Sequence, residues 1–275
     1  MGWENGCVIM RRAVVKYPGS KWSIADKICA ILPPHRSYLE PFFGSGAVFF
    51  TKARSPIETI NDLDGDVVNL FRWMRDDPER LSRELYWTPY ARDTYREACG
   101  AGHSDTLDGA VQFCVRLMQG FGYRTNGNHP GFKVDVKGRE AAYAAKNWAD
   151  LPSVIMDAAD RLRGVQIEHM DATALIRKYK GDNVLIYADP PYVMQTRTGP
   201  QYRCEMGDAE HEKLLEALLE HSGPAIISGY DCPMYNNLLN GWNKNTFRCR
   251  DQAGNQKNEV IWFNFDVDLQ QQLII

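Results

Sequence analysis

Val184-Leu185-Ile186-Tyr187-Ala188-Asp189-Pro190-Pro191-Tyr192 is the stretch that decides how this chain is read. Its first five residues form an apolar run after the polar Gly181-Asp182-Asn183, the pattern of a short buried strand in a parallel sheet. Two prolines directly after it force the chain out of the sheet, because neither has an N–H for the ladder. The Asp189 side chain and the Pro190 carbonyl are left at the strand's carboxyl end, where open α/β sheets place their ligands. That edge presents acceptors, a carboxylate and carbonyls, with the Tyr192 ring beside them. Such a site suits a planar group carrying an amino function. The alternative reading is a strand-ending turn with an exposed tyrosine.

A second site lies far upstream. Ser37-Tyr38-Leu39-Glu40-Pro41-Phe42-Phe43-Gly44-Ser45-Gly46-Ala47 reads as a short strand, a Gly-x-Gly turn and the start of a helix. The glycines permit tight turning and close approach to a ligand. Phe49 stands where a dinucleotide fingerprint wants Gly or Ala, which argues against a nicotinamide cofactor. Ile57-Glu58-Thr59-Ile60-Asn61-Asp62 is a further short strand, ending in a carboxylate. A carboxylate placed there can accept the ribose hydroxyls of an adenosine-containing cofactor. An N-cap for a helix from Leu63 onward explains Asp62 equally well.

Between and beyond these sites the organisation changes. Apolar spacing of three to four residues predicts helices over 64–75, 79–86, 90–99 and 107–119. The stretch 120–136 is rich in glycine, asparagine and aromatics, with turn signals at Asn126-Gly127 and Pro130-Gly131. It reads as a hairpin-like loop whose Arg124, Asn126, His129 and Lys133, with Arg116 just before it, suit base-edge and phosphate contacts. The same composition also fits an ordinary exposed loop. Strand and helix alternation resumes at 165–169, 171–179, 184–188, 208–221, 225–229 and 232–240. Two closing strands near 245–249 and 259–265 are expected to form an antiparallel end to the sheet.

Composition bounds the function classes. The 275 residues carry a net charge of -3, so nucleic-acid binding has to use a local basic face. Seven cysteines without a Cys-x-x-Cys pair give neither a zinc pattern nor a disulfide framework, and fit a reduced compartment. No apolar signal region and no 18-residue apolar run is present, so the expectation is a cytoplasmic protein that spans no membrane.

Taken in order, Lys16-Tyr17-Pro18-Gly19-Ser20-Lys21, Leu39-Glu40-Pro41-Phe42-Phe43-Gly44-Ser45-Gly46, Ile60-Asn61-Asp62 and Asp189-Pro190-Pro191-Tyr192 resemble the motifs of the Dam-type, alpha-group DNA adenine methyltransferases. The resemblance runs from about residue 14 to 265, and Ile226–Asp231 with Glu259–Asn264 is similar to the end of that fold. It implies an α/β fold: a Rossmann-like sheet binding S-adenosylmethionine, built from 1–62 and 165–275. Residues 63–164 are then an inserted, mainly helical DNA-recognition subdomain. It implies methyl transfer to the 6-amino group of adenine in double-stranded DNA, with the target base flipped out and no metal required. Asp189, Pro190, Pro191 and Tyr192 take the catalytic positions. The cofactor positions fall on Tyr17, Lys21, Pro41, Phe42, Phe43, Gly44, Gly46, Asp62, Asp171, Ala172 and Asp189, with Lys21 at the carboxylate, Asp62 at the ribose and Asp171-Ala172 at the adenine edge. Tyr17-Pro18 departs from the Trp-Ala of many relatives.

Plainer roles stay open for several of these. Lys21 is a solvated lysine in one reading, Phe42 and Phe43 are core, and Asp171 caps the helix that starts near Thr173. Ser228 and Tyr230 line the pocket or pack in the core. Amino-methylation of cytosine, RNA adenine or a glutamine side chain uses the same geometry, and a catalytically silent DNA-binding relative is the non-enzymatic alternative.

Overall fold

The computed structural model describes residues 12–134, 144–197, 199–250 and 256–267. Its strands are β1 (Ser37–Glu40), β2 (Ile57–Asn61), β3 (Gln166–Glu168), β4 (Val184–Ala188), β5 (Ala225–Gly229), β6 (Asn243–Arg250) and β7 (Gln256–Phe263). They form one sheet in the order β3-β2-β1-β4-β5-β7-β6. The first five pair in parallel, whereas β7 runs antiparallel to both β5 and β6. The antiparallel end expected from the sequence is therefore present. Its hairpin is longer than expected, because pairing from Asn243↔Phe263 to Arg250↔Gln256 carries polar residues into the ladder.

This order fixes the place of the site. The chain winds from β1 outward through β2 to β3, then returns to β4 and continues on the other side. β1 and β4 are thus neighbours across the point where the winding reverses, and ligands of open α/β sheets bind there. Alternation along each strand feeds two cores. Tyr38, Tyr187 and Ile226 face one side with Phe49, Phe50 and Phe71, while Leu39, Ile186 and Ile227 face the other with Leu214, Leu218 and Trp262.

The helices are α1 (Ala25–Ala30), α2 (Ala47–Thr51), α3 (Gly65–Asp76), α4 (Pro78–Trp87), α5 (Arg92–Gly100), α6 (Leu107–Gln119), α7 (Ala144–Leu162), α8 (Ala172–Lys178), α9 (Asp208–Leu219) and α10 (Pro233–Leu238). α3 to α6 lie where the spacing predicts helices, within two residues at each end. α7 lies in the part of 63–164 for which no individual helix is predicted, within a segment expected to be mainly helical, and Pro152 falls in its interior. An interior proline costs about 3 kcal/mol. Burial of Trp148, Leu151, Val154, Ile155 and Leu162 outweighs it, at about 1.5–3 kcal/mol for a large apolar side chain. α7 packs against α4, α3 and α6.

A buried ionic knot ties this helix to the sheet. Glu58 on β2 accepts from Arg161 of α7 at 2.5 and 2.8 Å, from Lys52 Nζ at 2.6 Å and from the Ser55 N–H at 2.9 Å. Arg161 also donates to the Phe49 carbonyl at 3.0 Å and lies over that ring.

The 120–136 stretch is hairpin-like over its described part. Gly120 and Phe132 form an antiparallel bridge, supported by Phe121 N–H to Gly131 O at 3.0 Å and Lys133 N–H to Gln119 O at 2.7 Å. Residues 135 and 136 lie outside the described residues. Among the described residues no helix is long and apolar enough to cross a membrane.

Candidate active site

β1 delivers Glu40 to the carboxyl edge of the sheet, and the turn after it is locked by its own backbone. Phe43 N–H bonds Asn61 O at 2.9 Å and Gly46 N–H bonds Phe43 O at 2.7 Å. Gly44 and Gly46 have φ of 49° and 64°, and a Cβ on Gly46 would lie 2.4 Å from the Phe43 ring. Only glycine fits that position. Asp62, just past β2, accepts the Gly44 N–H at 2.8 Å and the Asp64 N–H at 2.9 Å. It braces the turn and does not cap α3. The cap is Asp64, whose carboxylate accepts the Asp66 N–H at 3.0 Å. Burial pushes Asp62 up to about 6, against the two backbone N–H bonds.

A cavity of about 320 Å³ opens on this turn. Its walls include Tyr17, Lys21, Pro41, Phe42, Phe43, Gly44, Asp62, Asp171, Ala172, Asp189 and Pro191. Most residues assigned to the cofactor are therefore brought together. Gly46, Pro190 and Tyr192 are not on this wall. Asp171 caps α8 through the Ala174 N–H at 2.8 Å and still borders the cavity, so its two readings coexist. Phe43 is core as well as wall, packed edge-on to Phe71 at 4.6 Å.

Asp189 meets Lys21 at the end of β4. Lys21 Nζ lies 2.9 Å from Asp189 Oδ1, an ion contact off the hydrogen-bond line, and 3.8 Å from Glu259 Oε2. It also donates to the Gly19 carbonyl and sits 4.7 Å from the Tyr192 ring centroid. With 3% of its side chain exposed, Lys21 is no solvated lysine. Burial works against its charge, but Asp189 and Glu259 outweigh burial and hold the ammonium above its ordinary range. Burial pushes Asp189 up to about 6, with Lys21 pulling the other way. Glu40, bonded by the Tyr38 hydroxyl at 2.6 Å, is pushed up to about 8, chiefly by burial.

Tyr192 faces a second cavity of about 490 Å³, whose walls include Lys16, Lys21, Tyr123, Arg124, Arg197, Tyr230, Lys257 and Glu259. The Tyr192 hydroxyl donates to Glu259, and Tyr230 packs edge-on against the Tyr192 ring at 4.6 Å. Ser228 is fully buried, sharing a hydrogen bond with the Tyr187 hydroxyl at 3.0 Å, which makes it a core position. Tyr17, Lys21 and Tyr202 border both cavities.

The segment after the tetrapeptide is sewn to its surroundings. Arg197 donates to the Tyr192 carbonyl at 2.6 Å and pairs with Glu205, which also accepts the Gln201 and Tyr202 N–H groups at 2.6 and 3.0 Å. The same segment is bonded to the hairpin-like loop. Thr125 N–H reaches Gln201 O at 3.0 Å, Asn126 Nδ2 reaches Pro200 O at 2.8 Å, and Arg203 N–H reaches Thr125 Oγ1 at 3.0 Å.

The residues assigned to DNA differ in their freedom. Arg116 is held inside by Asp66 at 2.8 Å and the Ala98 carbonyl at 3.1 Å. Lys133 donates to the Tyr123 hydroxyl at 3.1 Å, and Asn126 is occupied in the loop contact just described. His129 borders a third cavity of about 510 Å³ with Arg116, Arg124 and Arg203. Arg124 is exposed, borders the second and third cavities and has no ion pair among the described residues. Sequence reasoning gave Glu259, Tyr202, Arg197 and Glu205 no role. The readable signal for Glu259 is its alternation with Lys257 at the head of an apolar strand.

The sequence profile of the D12 class N6 adenine-specific DNA methyltransferases matches residues 17–248. The type II methyltransferase M1.LlaDCHI of Lactococcus lactis subsp. cremoris is 26% identical over 199 residues, 68% of each chain. The DNA N-6-adenine-methyltransferase of Escherichia phage P1 is 25% identical over 188 residues, 66% of this chain and 24% of that protein. A DNA adenine methylase of Vibrio cholerae is 30% identical over 74 residues, 27% of this chain and 26% of that protein.

Proposed function

Because this chain belongs to the D12 class N6 adenine-specific DNA methyltransferases, we propose that it methylates an adenine turned out of duplex DNA, with S-adenosylmethionine as donor. The observation that carries this reading is the adjacency of the two cavities. One holds Asp62, the Gly44 turn and Asp189, the other holds Tyr192, and Lys21 borders both and pairs with Asp189.

The residues present fit the donor. Asp62 spends two of about four acceptor positions on backbone N–H groups and keeps the others for ribose hydroxyls. Phe42 and Ala172 offer apolar walls for a base, and Lys21 offers an ammonium to a carboxylate. Bound there, the donor supplies an electrophilic methyl on a sulfonium. The 6-amino nitrogen of adenine is a poor nucleophile, since its lone pair is delocalised into the ring. Asp189 and the Pro190 carbonyl accept its two N–H bonds, which favours a pyramidal nitrogen and frees the lone pair. The rest is positioning and charge complementarity. Asp189 orients and does not deprotonate first; the surplus proton leaves once the methylated nitrogen is cationic. Turning the base out costs a few kcal/mol, and stacking on Tyr192 returns about 1–3 kcal/mol.

On this reading the helical segment 63–164 and its 120–134 loop face the DNA. Arg124 is the side chain free to read a base edge, Lys133 and His129 lie beside it, and Arg116 and Asn126 act as supports. Single-molecule sequencing of DNA from cells expressing the protein tests the reading. It should report 6-methyladenine in one sequence context that is unmodified in cells without the gene. Methylated cytosine, or no modification, would overturn it.

Two further results are expected. Asp62→Ala should weaken donor binding by about 1.5–3 kcal/mol, the range for hydrogen bonds to a charged group. Titration calorimetry checks this, and unchanged affinity would displace the donor from this cavity. Catalytic efficiency should also fall as pH drops through about 6, where Asp189 takes up a proton and stops accepting the amino group. The sign follows from the carboxylate being the working form: activity is level above this point and lost below it. A kcat/KM profile that stays level down to about pH 5, a little above the ordinary carboxyl range, would remove Asp189 ionisation from the mechanism.

A further inference from the structure

Glu259 takes no part in the scheme above, yet it is a second carboxylate at the centre of the site. It leaves β7 on the same face as Lys257, two residues away, with 12% of its side chain exposed. It accepts the Tyr192 hydroxyl and stands 3.8 Å from Lys21 Nζ. Lys21 is therefore one buried cation within 4 Å of two carboxylates, Asp189 and Glu259. A single carboxylate would suffice to neutralise it. Burying another carries a desolvation cost, which apolar packing at this strand would avoid.

We propose that Glu259 is a positioning residue for methyl transfer. It fixes the Tyr192 ring through the phenol and shares the Lys21 ammonium, so that Asp189 keeps acceptor positions for the amino group. The surplus negative charge would favour the positive charge that develops on the accepting nitrogen. This inference rests on the function proposed above.

The test uses Glu259→Gln, Tyr192→Phe and the double variant. Gln keeps the size of the side chain and still accepts from the phenol, but it removes the charge. Glu259→Gln should lower kcat by about 10–100-fold, the scale of a misplaced reacting group, while donor affinity by calorimetry changes less than threefold. Tyr192→Phe keeps every charge and removes the phenol bond, so it should also lower kcat. The double variant should lose less than the product of the two single losses.

The pH profile separates positioning from mere structure. Asp189 faces Lys21, Glu259, Glu40, Tyr187, Tyr192 and Tyr202. Of these, Glu259→Gln deletes a negative neighbour that favours the proton on Asp189, so the acid limb should move to lower pH. In the donor-free protein, the Tyr192 ring-carbon resonance of carbon-13 tyrosine should shift in Glu259→Ala. Turnover within threefold of the parent with an unmoved limb would overturn the role of Glu259. The same holds if the Glu259→Ala spectrum matches the parent's. If the parent itself leaves adenine unmethylated, the function fails instead. Should Glu259→Gln not fold, Tyr192→Phe and the ring-carbon spectrum decide.

Discussion

Asp189→Ala is expected to abolish methyl transfer to DNA while leaving the protein folded. The carboxylate directly follows β4 on the wall of the first cavity, where it meets Lys21 but keeps acceptor capacity for an incoming amino group. Its bonds to that group strengthen as the nitrogen becomes pyramidal, so the loss belongs to turnover and not to affinity. Removing one such preorganised partner costs about 10²–10³ in kcat. The fold should survive, because Lys21 retains Glu259 and the Gly19 carbonyl, and no buried charge is stranded. Single-turnover incorporation of labelled methyl, read beside DNA affinity, checks this. Methylation within tenfold of the parent would sink the assignment.

The largest loss of stability is expected at the opposite end of the sheet, from Glu58→Ala. Glu58, Arg161 and Lys52 expose 2% of their side chains or less. Burial pushes the Glu58 carboxyl up, but Arg161 and Lys52 outweigh it and hold the group below its ordinary range. Deleting the carboxylate leaves two cations in the interior with no counter-charge. Breaking a buried pair in this way costs about 3–5 kcal/mol, a large share of the 5–15 kcal/mol that typically holds a folded protein. Urea unfolding with an unchanged m-value is the measurement. A loss under about 1 kcal/mol, the size of a typical surface ion pair, would show that the knot is solvated. Because the folded pKa is depressed, this stabilisation is present at neutral pH and fades in acid.

How much of this was legible depended on how local the cause was. The strand 184–188 and its exit at Asp189 could be read because an apolar run and two prolines act within nine residues. Asp62 was readable as a carboxylate at a strand end, but not as the brace of the Gly44 turn. Ile60-Asn61-Asp62-Leu63-Asp64 offers two carboxylates for one helix start, and only the contact with Gly44 separates the brace from the cap. α7 was not singled out as a helix, and the local penalty of its Pro152 is overridden by apolar contacts with α3, α4 and α6 that no spacing rule displays. Arg116 is read as a DNA contact from its place before the loop. Its partner Asp66 belongs to α3, and that pairing exists only once the helices pack. Lys21 and Glu259 come from opposite ends of the chain and are joined by the antiparallel return of β7.

Target specificity in this fold should not transplant as one cassette. A foreign loop grafted over 120–134 alone would strip the Pro200 carbonyl of the Asn126 amide and the Arg203 N–H of its Thr125 hydroxyl acceptor. Tyr202 follows directly, and it is a wall of both cavities. On the function proposed above, recombination between relatives or engineering of a new target should exchange residues 120–134 and 197–206 together, as a single heritable unit although 62 residues of chain lie between them.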